Sequence, residues 1–303
     1  MAKIKKRDRA RNIFNMNHDL FRCPVCKGQM LRTDAYGLNC SAGHNFDLAR
    51  KGYVNLLTRG QNCVYDTELF QARRQVFRAG LFGPLIAKVS EVINELSFDK
   101  RITLLDVGCG EGSFLCSLVK QITQMPVTPL GIDISKEGIN LAASYNDPLM
   151  WCVADLAQLP LQDASIDIIL NVLSPANYGE FHRVLKARGV VVKVIPGQHY
   201  LGELRDFLRY DQDHDRYSNE EVIKHLEENL EIQAIHPVHY RFMVNSSLWP
   251  HLVRMTPLMW NKSIHEDLSV SDKEIKQVTV DLNIIVGSVP DSSGGPSRKG
   301  IIN

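Results

Sequence analysis

Along most of the chain the apolar residues change their period every ten to twenty positions. Short apolar runs at Ile102–Val107, Val127–Ile132, Leu149–Val153, Ile166–Val172 and Val190–Ile195 read as buried strands. Between them, Gly112–Ile122, Lys136–Ser144 and Asn177–Leu185 carry helical spacing. This alternation predicts an α/β fold, a parallel sheet covered by helices on both faces. Further on, a helix is expected over Leu201–Leu208, followed by a polar stretch, Asp211–Arg216. Ser218-Asn-Glu-Glu221 reads as a capping box opening a helix to Asn229. Strand (Glu231–Phe242), helix (Ser246–Met255) and strand (Lys276–Val289) follow, the last alternating through Val278, Val280, Leu282 and Ile284. An antiparallel pair closing the sheet makes it seven-stranded.

Before this body, Thr67 is placed to cap a helix to Ala79, and Pro84 opens a second one to Leu96. The expected organisation is a basic flexible segment over 1–20, a small domain over 21–60 and a helical connector over 61–100. The α/β domain spans 101–289, and a disordered Ser/Gly/Pro tail covers 290–303.

The small domain carries Cys23-Pro-Val-Cys26 and, after thirteen residues, Cys40-x3-His44. Two closely spaced pairs of soft donors can close a tetrahedron, and three Cys with one His is a structural zinc set. With every position filled by protein, such an ion has no open site for chemistry. About 40 residues cannot bury a self-sufficient core, so zinc would supply much of the folding energy. Gly28 and Gly43 are expected to give the knuckles their backbone freedom. A redox role for Cys23 and Cys26 is disfavoured, because no βαβ pattern accompanies them.

The chemistry of the body is concentrated at strand ends. In Asp106-Val-Gly108-Cys109-Gly110-Glu111-Gly112, three alternate glycines let the backbone turn tightly against a ligand. The dinucleotide fingerprint places its third glycine one residue later. Asp133 ends the second strand, where a carboxylate can accept ribose hydroxyls, and Asp155 ends the third, within reach of an adenine amino group. Together they point to S-adenosyl-L-methionine, whose sulfonium carries the activation while the protein positions the reactants. The fourth strand runs out at Asn171-Val-Leu-Ser174-Pro175-Ala-Asn177-Tyr178, on the edge where a methyl acceptor must approach. Asn171 and Ser174 are candidates to hydrogen-bond a base edge, with Tyr178 available to stack. Asn177 reads equally well as a helix cap.

Charge then narrows the acceptor. Residues 1–60 hold 12 Lys/Arg against 4 Asp/Glu, and the remainder 23 against 30, although the net charge is only +1. A basic head on an acidic body suits a polyanion. Arg73, Arg74 and Arg78 on the first connector helix could meet phosphate or form a solvated face. The longest apolar runs are too short to span a membrane. With no secretory signal and seven cysteines, an odd number, the chain is expected in the cytoplasm.

These motifs, with Phe46-Asp-x3-Lys51-Gly-Tyr-Val-Asn-Leu56, Gln71-Ala-Arg-Arg74 and Met255-Thr-Pro257, resemble the zinc-headed (RlmA-type) bacterial 23S rRNA guanine-N1 methyltransferases. The resemblance covers residues 20–288. It implies a class I methyltransferase (Rossmann-like) domain and methylation of guanine N1 in hairpin 35 of 23S rRNA. Ser174-Pro-Ala-Asn-Tyr-Gly-Glu-Phe181 is similar to the Gram-positive, tylosin-resistance branch, favouring guanine 748 over guanine 745. It implies zinc on Cys23, Cys26, Cys40 and His44. The cofactor would meet Phe82, Asp106, Gly108, Cys109, Gly110, Glu111, Gly112, Asp133, Asp155, Leu156 and Tyr200, the last where relatives carry histidine. A homodimer is implied as well. Nothing singles out the group that removes the N1 proton, and His199 is only a candidate beside Asn171 and Ser174. Two alternatives stay open: a small-molecule methyltransferase with a structural zinc ribbon, and a non-catalytic RNA-binding protein.

Overall fold

A computed structural model describes residues 5–33, 35–60, 65–98, 100–207, 219–256 and 276–290. The polar stretch 211–216, Ser218, Pro257 and the tail from 291 lie outside the described residues.

The head begins with a helix, α1 (Lys6–Met16), where a flexible segment was expected. The reason is an apolar stripe: Ala10, Ile13 and Phe14 recur at helical spacing, and Phe14 is buried with its ring 5.6 Å from that of Phe21. Arg9 Nη1 donates to the Asn146 carbonyl at 2.9 Å, fixing the helix to the body. Strands β1 (Met30–Leu31), β2 (Gly37–Cys40) and β3 (Asn45–Asp47) form a small antiparallel sheet. The head docks through backbone and side chain alike. Arg22 N donates to the Pro160 carbonyl at 3.1 Å, Gln162 Nε2 donates to the Phe21 carbonyl at 3.0 Å, and Arg22 pairs with Asp163.

The body's main sheet has eight strands, in the order β10-β11-β9-β8-β5-β6-β7-β4. They are β4 (Val54–Asn55), β5 (Ile102–Val107), β6 (Val127–Asp133), β7 (Met150–Val153), β8 (Ile166–Val172), β9 (Leu185–Pro196), β10 (Glu231–Met243) and β11 (Gln277–Ser288). The seven expected strands are present, and β10 and β11 pair antiparallel. The count is corrected by β4, which leaves the head and pairs in parallel with β7, Val54 opposite Cys152. Val54 is fully buried there, so an apolar residue near the end of the head completes the body's edge.

Buried on both faces, β5 sends Ile102 and Leu104 to one core and Leu105 and Val107 to the other. The first core is covered by α2 (Thr67–Arg78), α3 (Gly83–Glu95), α4 (Ser113–Val119), α5 (Lys136–Ala142), α7 (Gly202–Phe207) and α9 (Trp249–Met255). The second takes α1, α6 (Tyr178–Val184) and α8 (Glu220–Glu227). Two caps differ from expectation. Asp66, not Thr67, caps α2, accepting from Leu69 N at 2.7 Å. Asn219 precedes α8 without a side-chain capping bond.

Because β5 has β6 on one side and β8 on the other, the order reverses direction there. The turn after β5 therefore lies at the crevice where open α/β sheets hold ligands.

Candidate functional site

Two separate constellations carry chemistry. In the head, one donor atom from each of Cys23, Cys26, Cys40 and His44 lies within 4.8 Å of all the others. Cys26 Sγ is 3.6 Å from Cys40 Sγ, and His44 Nδ1 is 3.6 Å from Cys23 Sγ and 3.3 Å from Cys40 Sγ. Zn–S bonds of about 2.3 Å and Zn–N bonds of about 2.0–2.1 Å give tetrahedral edges of this size, so the residues fit the ion. Burial opposes ionisation of the Cys40 thiol, but hydrogen bonds involving His44 outweigh it and bring its pKa down to about 6. Only one of the two expected knuckle glycines takes the conformation that needs glycine. Lys27 takes the left-handed conformation (φ 62°), as does Gly43, whereas Gly28 packs against Cys26 Sγ.

In the body, a cavity of about 720 Å³ opens beside the turn after β5. Gly108, Gly110 and Gly112 all have positive φ, 77°, 55° and 80°. A Cβ on Gly108 would stand 2.1 Å from Ser174 Oγ, so the β5 and β8 turns meet only because that residue is glycine. A Cβ on Gly112 would strike Trp151, whose ring fills the space below the turn. Of the expected cofactor residues, Phe82, Asp106, Gly108, Cys109, Glu111 and Tyr200 line the cavity. Gly110, Gly112, Asp133, Asp155 and Leu156 are not among its lining residues.

Asp133 Oδ2 accepts from Gly110 N at 2.7 Å and Oδ1 from Ser135 N at 2.8 Å. Here the carboxylate braces the glycine turn; any ribose contact would share oxygens already engaged. Burial raises its pKa, while those N–H groups and nearby Arg73 oppose the rise. Asp106 is pushed up to about 8 by burial and then by Asp133. Asp155 caps the short turn Leu156–Gln158 through Ala157 N at 2.8 Å.

The connector arginines divide. Arg74 is structural: Nε pairs with buried Glu111 at 2.9 Å, Nη2 donates to the Leu141 carbonyl at 2.9 Å, and the guanidinium lies over the Tyr145 ring. Arg73 instead lines the cavity, half-buried, next to Gly110. No hydrogen bond or ion pair joins its guanidinium to the other described residues.

On the opposite wall, Leu173, Ser174 and Pro175 form the turn after β8. Leu173 has φ 49° and is 38% exposed, an apolar side chain held in a strained backbone at the cavity wall. Asn171 is buried beneath this turn, Nδ2 donating to the carbonyls of Val107 (3.2 Å) and Pro175 (3.0 Å). It therefore holds the turn rather than reaching into the cavity. Asn177 caps α6 through Glu180 N, and Tyr178 is buried edge-on to Phe181 and His225, so neither is free to read a base. His199 is exposed and outside the lining, its backbone N–H donating to Asp281. Lys193, a lining residue, was overlooked within the apolar run Val190–Ile195. A lone charge in a strand buried on both faces was the available signal.

The amino-acid sequence matches two family models, "RlmA, N-terminal" over residues 21–59 and "Methyltransferase domain" over residues 98–255. A Bacillus subtilis protein, "Putative 23S rRNA (guanine-N(1)-)-methyltransferase YxjB", is 38% identical over 90% of this chain and 98% of its own length. A relative named a putative 23S rRNA (guanine-N(1)-)-methyltransferase from Micromonospora griseorubida is 32% identical, covering 68% of this chain and 76% of that protein. The 23S rRNA (guanine(748)-N(1))-methyltransferase of Streptomyces fradiae is 33% identical, covering 62% and 67%. With a zinc-ribbon head and a methyltransferase body matched in their expected places, the chain belongs to the 23S rRNA (guanine-N1) methyltransferase family.

Proposed function

We propose that this protein transfers a methyl group from S-adenosyl-L-methionine to N1 of a guanine in 23S rRNA, at the position modified by the guanine 748 branch. The observation that carries the reading is the joining of two turns across one cavity. The glycine turn after β5 forms one wall and the Leu173–Pro175 turn the other, meeting at Gly108 and Ser174.

Bound S-adenosylmethionine supplies a methyl on a sulfonium, activated for in-line displacement. The residues fit that group. Gly108 and Cys109 line the cavity at the glycine turn, Phe82 and Phe77 offer apolar walls, and Arg73, whose guanidinium has no hydrogen bond or ion pair among the described residues, offers a cation for its carboxylate. A cavity of about 720 Å³ leaves room for a planar base beside the cofactor. The guanine has to leave its stack to enter, at a cost of a few kcal/mol. Single-stranded loops are where RNA bases can be splayed out in this way.

The head serves RNA. Arg7 and Arg11 lie over the Tyr36 ring at 4.5 and 5.0 Å, building a cationic face on α1 next to the zinc module. Phosphate contacts of this kind give affinity that falls steeply with salt. The homodimer and the cytoplasmic setting implied by the resemblance belong to the same proposal. Among the described residues, no helix is long and apolar enough to cross a membrane.

The test uses purified full-length protein, labelled cofactor, and 23S rRNA from a strain with and without the corresponding gene. Label should enter only RNA from the deletion strain, with a reverse-transcription stop at the modified guanine. Label on neither RNA refutes the reading. Turnover on small molecules by the full chain, with no label in either RNA, favours the small-molecule alternative.

A further inference from the structure

Guanine N1 carries a hydrogen, so its methylation requires that a proton leave, and the cavity has to provide for this. The ionisable groups around the cavity are Asp106 on β5, Cys109 and Glu111 on the glycine turn, and Arg73 on α2. Tyr200 and Lys193, after and on β9, and Arg205 on α7 complete the set. Most are unsuited to accepting. Glu111 is held by Arg74 and by the Ser113 hydroxyl. Asp106, raised to about 8 by burial and by Asp133, stands on the glycine-turn side of the cavity, across from the turn that forms the acceptor wall. Burial raises the pKa values of Cys109 and Tyr200, and guanidinium groups keep their protons.

Lys193 differs in position and in partners. It lies on β9 directly opposite Asn171 on β8, and is 5% exposed. Its Nζ donates to Asn171 Oδ1 and, at 3.1 Å, to the Ser174 carbonyl, within the turn that forms the acceptor wall. Asn171 cannot swap its amide atoms, because Nδ2 is committed to two carbonyls. Both acceptors are neutral, and no carboxylate pairs with the ammonium among the described residues. A neutral amine has only two N–H bonds. With both directed at these oxygens, the lone pair is the one position on Nζ left unused, on a side chain that lines the cavity.

We propose that Lys193 is the base that takes the guanine N1 proton, an inference that rests on the guanine-N1 reading above. The N1–H bond breaks, its proton passing to the Nζ lone pair and its electron pair staying on N1. N1 then bonds to the methyl carbon as that carbon leaves sulfur, the carbon–sulfur pair returning to sulfur as a thioether. The Lys193 ammonium releases its proton to water after product departs. Burial supports the assignment by bringing the lysine down to about 8, which keeps a working fraction neutral under physiological conditions.

The test is single-turnover methylation of unmodified rRNA by the full chain between about pH 6 and 9.5. Wild-type rates should rise with pH and level off above an apparent pKa near 8, since the neutral amine is the active form. Lys193→Met and Lys193→Arg should both lose about 10²–10⁴-fold in rate while binding cofactor and RNA within about twofold of wild type. Small primary amines should partly restore Lys193→Ala. A Lys193→Arg variant within tenfold of wild type overturns the proposal, because a permanent cation can position but not accept. A flat wild-type profile overturns it too, and needs no variant to fold. Wild-type protein that labels no rRNA defeats the guanine reading itself. Active wild type with an equally active Lys193→Met defeats this inference alone.

Discussion

The metal cluster and the methyl-transfer cavity are built in opposite ways. The cluster's four donors fall within the short stretch Cys23–His44, and the local turns that bring them together belong to the same stretch. The cavity takes its walls from Arg73 on α2 through to Thr256 after α9, including residues of β5, β8 and β9 and the turns that follow them. A local site stands or falls with its own few residues. A distributed one depends on a scaffold and loses function by degrees.

Substitutions at the two sites should separate these behaviours. The largest effect is expected from Cys40→Ser. Structural zinc is worth roughly 10–16 kcal/mol to a small module, so opening the donor set should abolish metal binding and, with the head disordered, rRNA methylation. Cofactor affinity should change little, because the cavity lining contains none of the head's donors. Metal analysis and cofactor titration on the same sample check both halves; retained zinc contradicts the assignment.

Gly108→Ala comes next. It places a side chain at φ 77° and 2.1 Å from Ser174 Oγ, where left-handed strain alone costs about 1–3 kcal/mol. Cofactor affinity should fall by more than tenfold, with a lower melting temperature, while zinc content stays intact. Asp133→Ala removes the acceptor of Gly110 N and Ser135 N, and should weaken cofactor binding by about 1–3 kcal/mol, measured calorimetrically. Unchanged affinity would remove Asp133 from the cofactor account. Arg73→Met should cost about 1.5–3 kcal/mol in cofactor affinity and little stability, because the guanidinium bonds to no other described residue. A drop in melting temperature without loss of affinity would assign it to the scaffold instead.

The same contrast explains what could be read from the chain. The zinc set was fully legible, because its chemistry depends on local spacing. Five strands were legible from their buried runs and the closing pair from the strand–helix–strand pattern at the end of the domain, whereas β4 was missed because a two-residue edge strand has no period of its own. The glycine turn was legible as a motif, but which residues around it face the cavity was not. Asn177 and Tyr178 show the difference. Each has the right chemistry for base recognition, yet one caps α6 and the other packs into the core. Lys193 shows the converse, a charge concealed in an apolar run, whose significance emerges only when β8 brings Asn171 beside it. The α1 helix was hidden behind its arginines, although the Ala10, Ile13 and Phe14 stripe was present in the residues.

The claim on which the rest depends is that the cavity between the β5 and β8 turns holds the methyl donor. A crystal structure with S-adenosylhomocysteine tests it directly. The account predicts the ligand lying along Gly108 and Cys109, its sulfur toward Ser174 and its carboxylate on Arg73. A ligand bound elsewhere on the chain, or no ligand at saturating concentration, contradicts it.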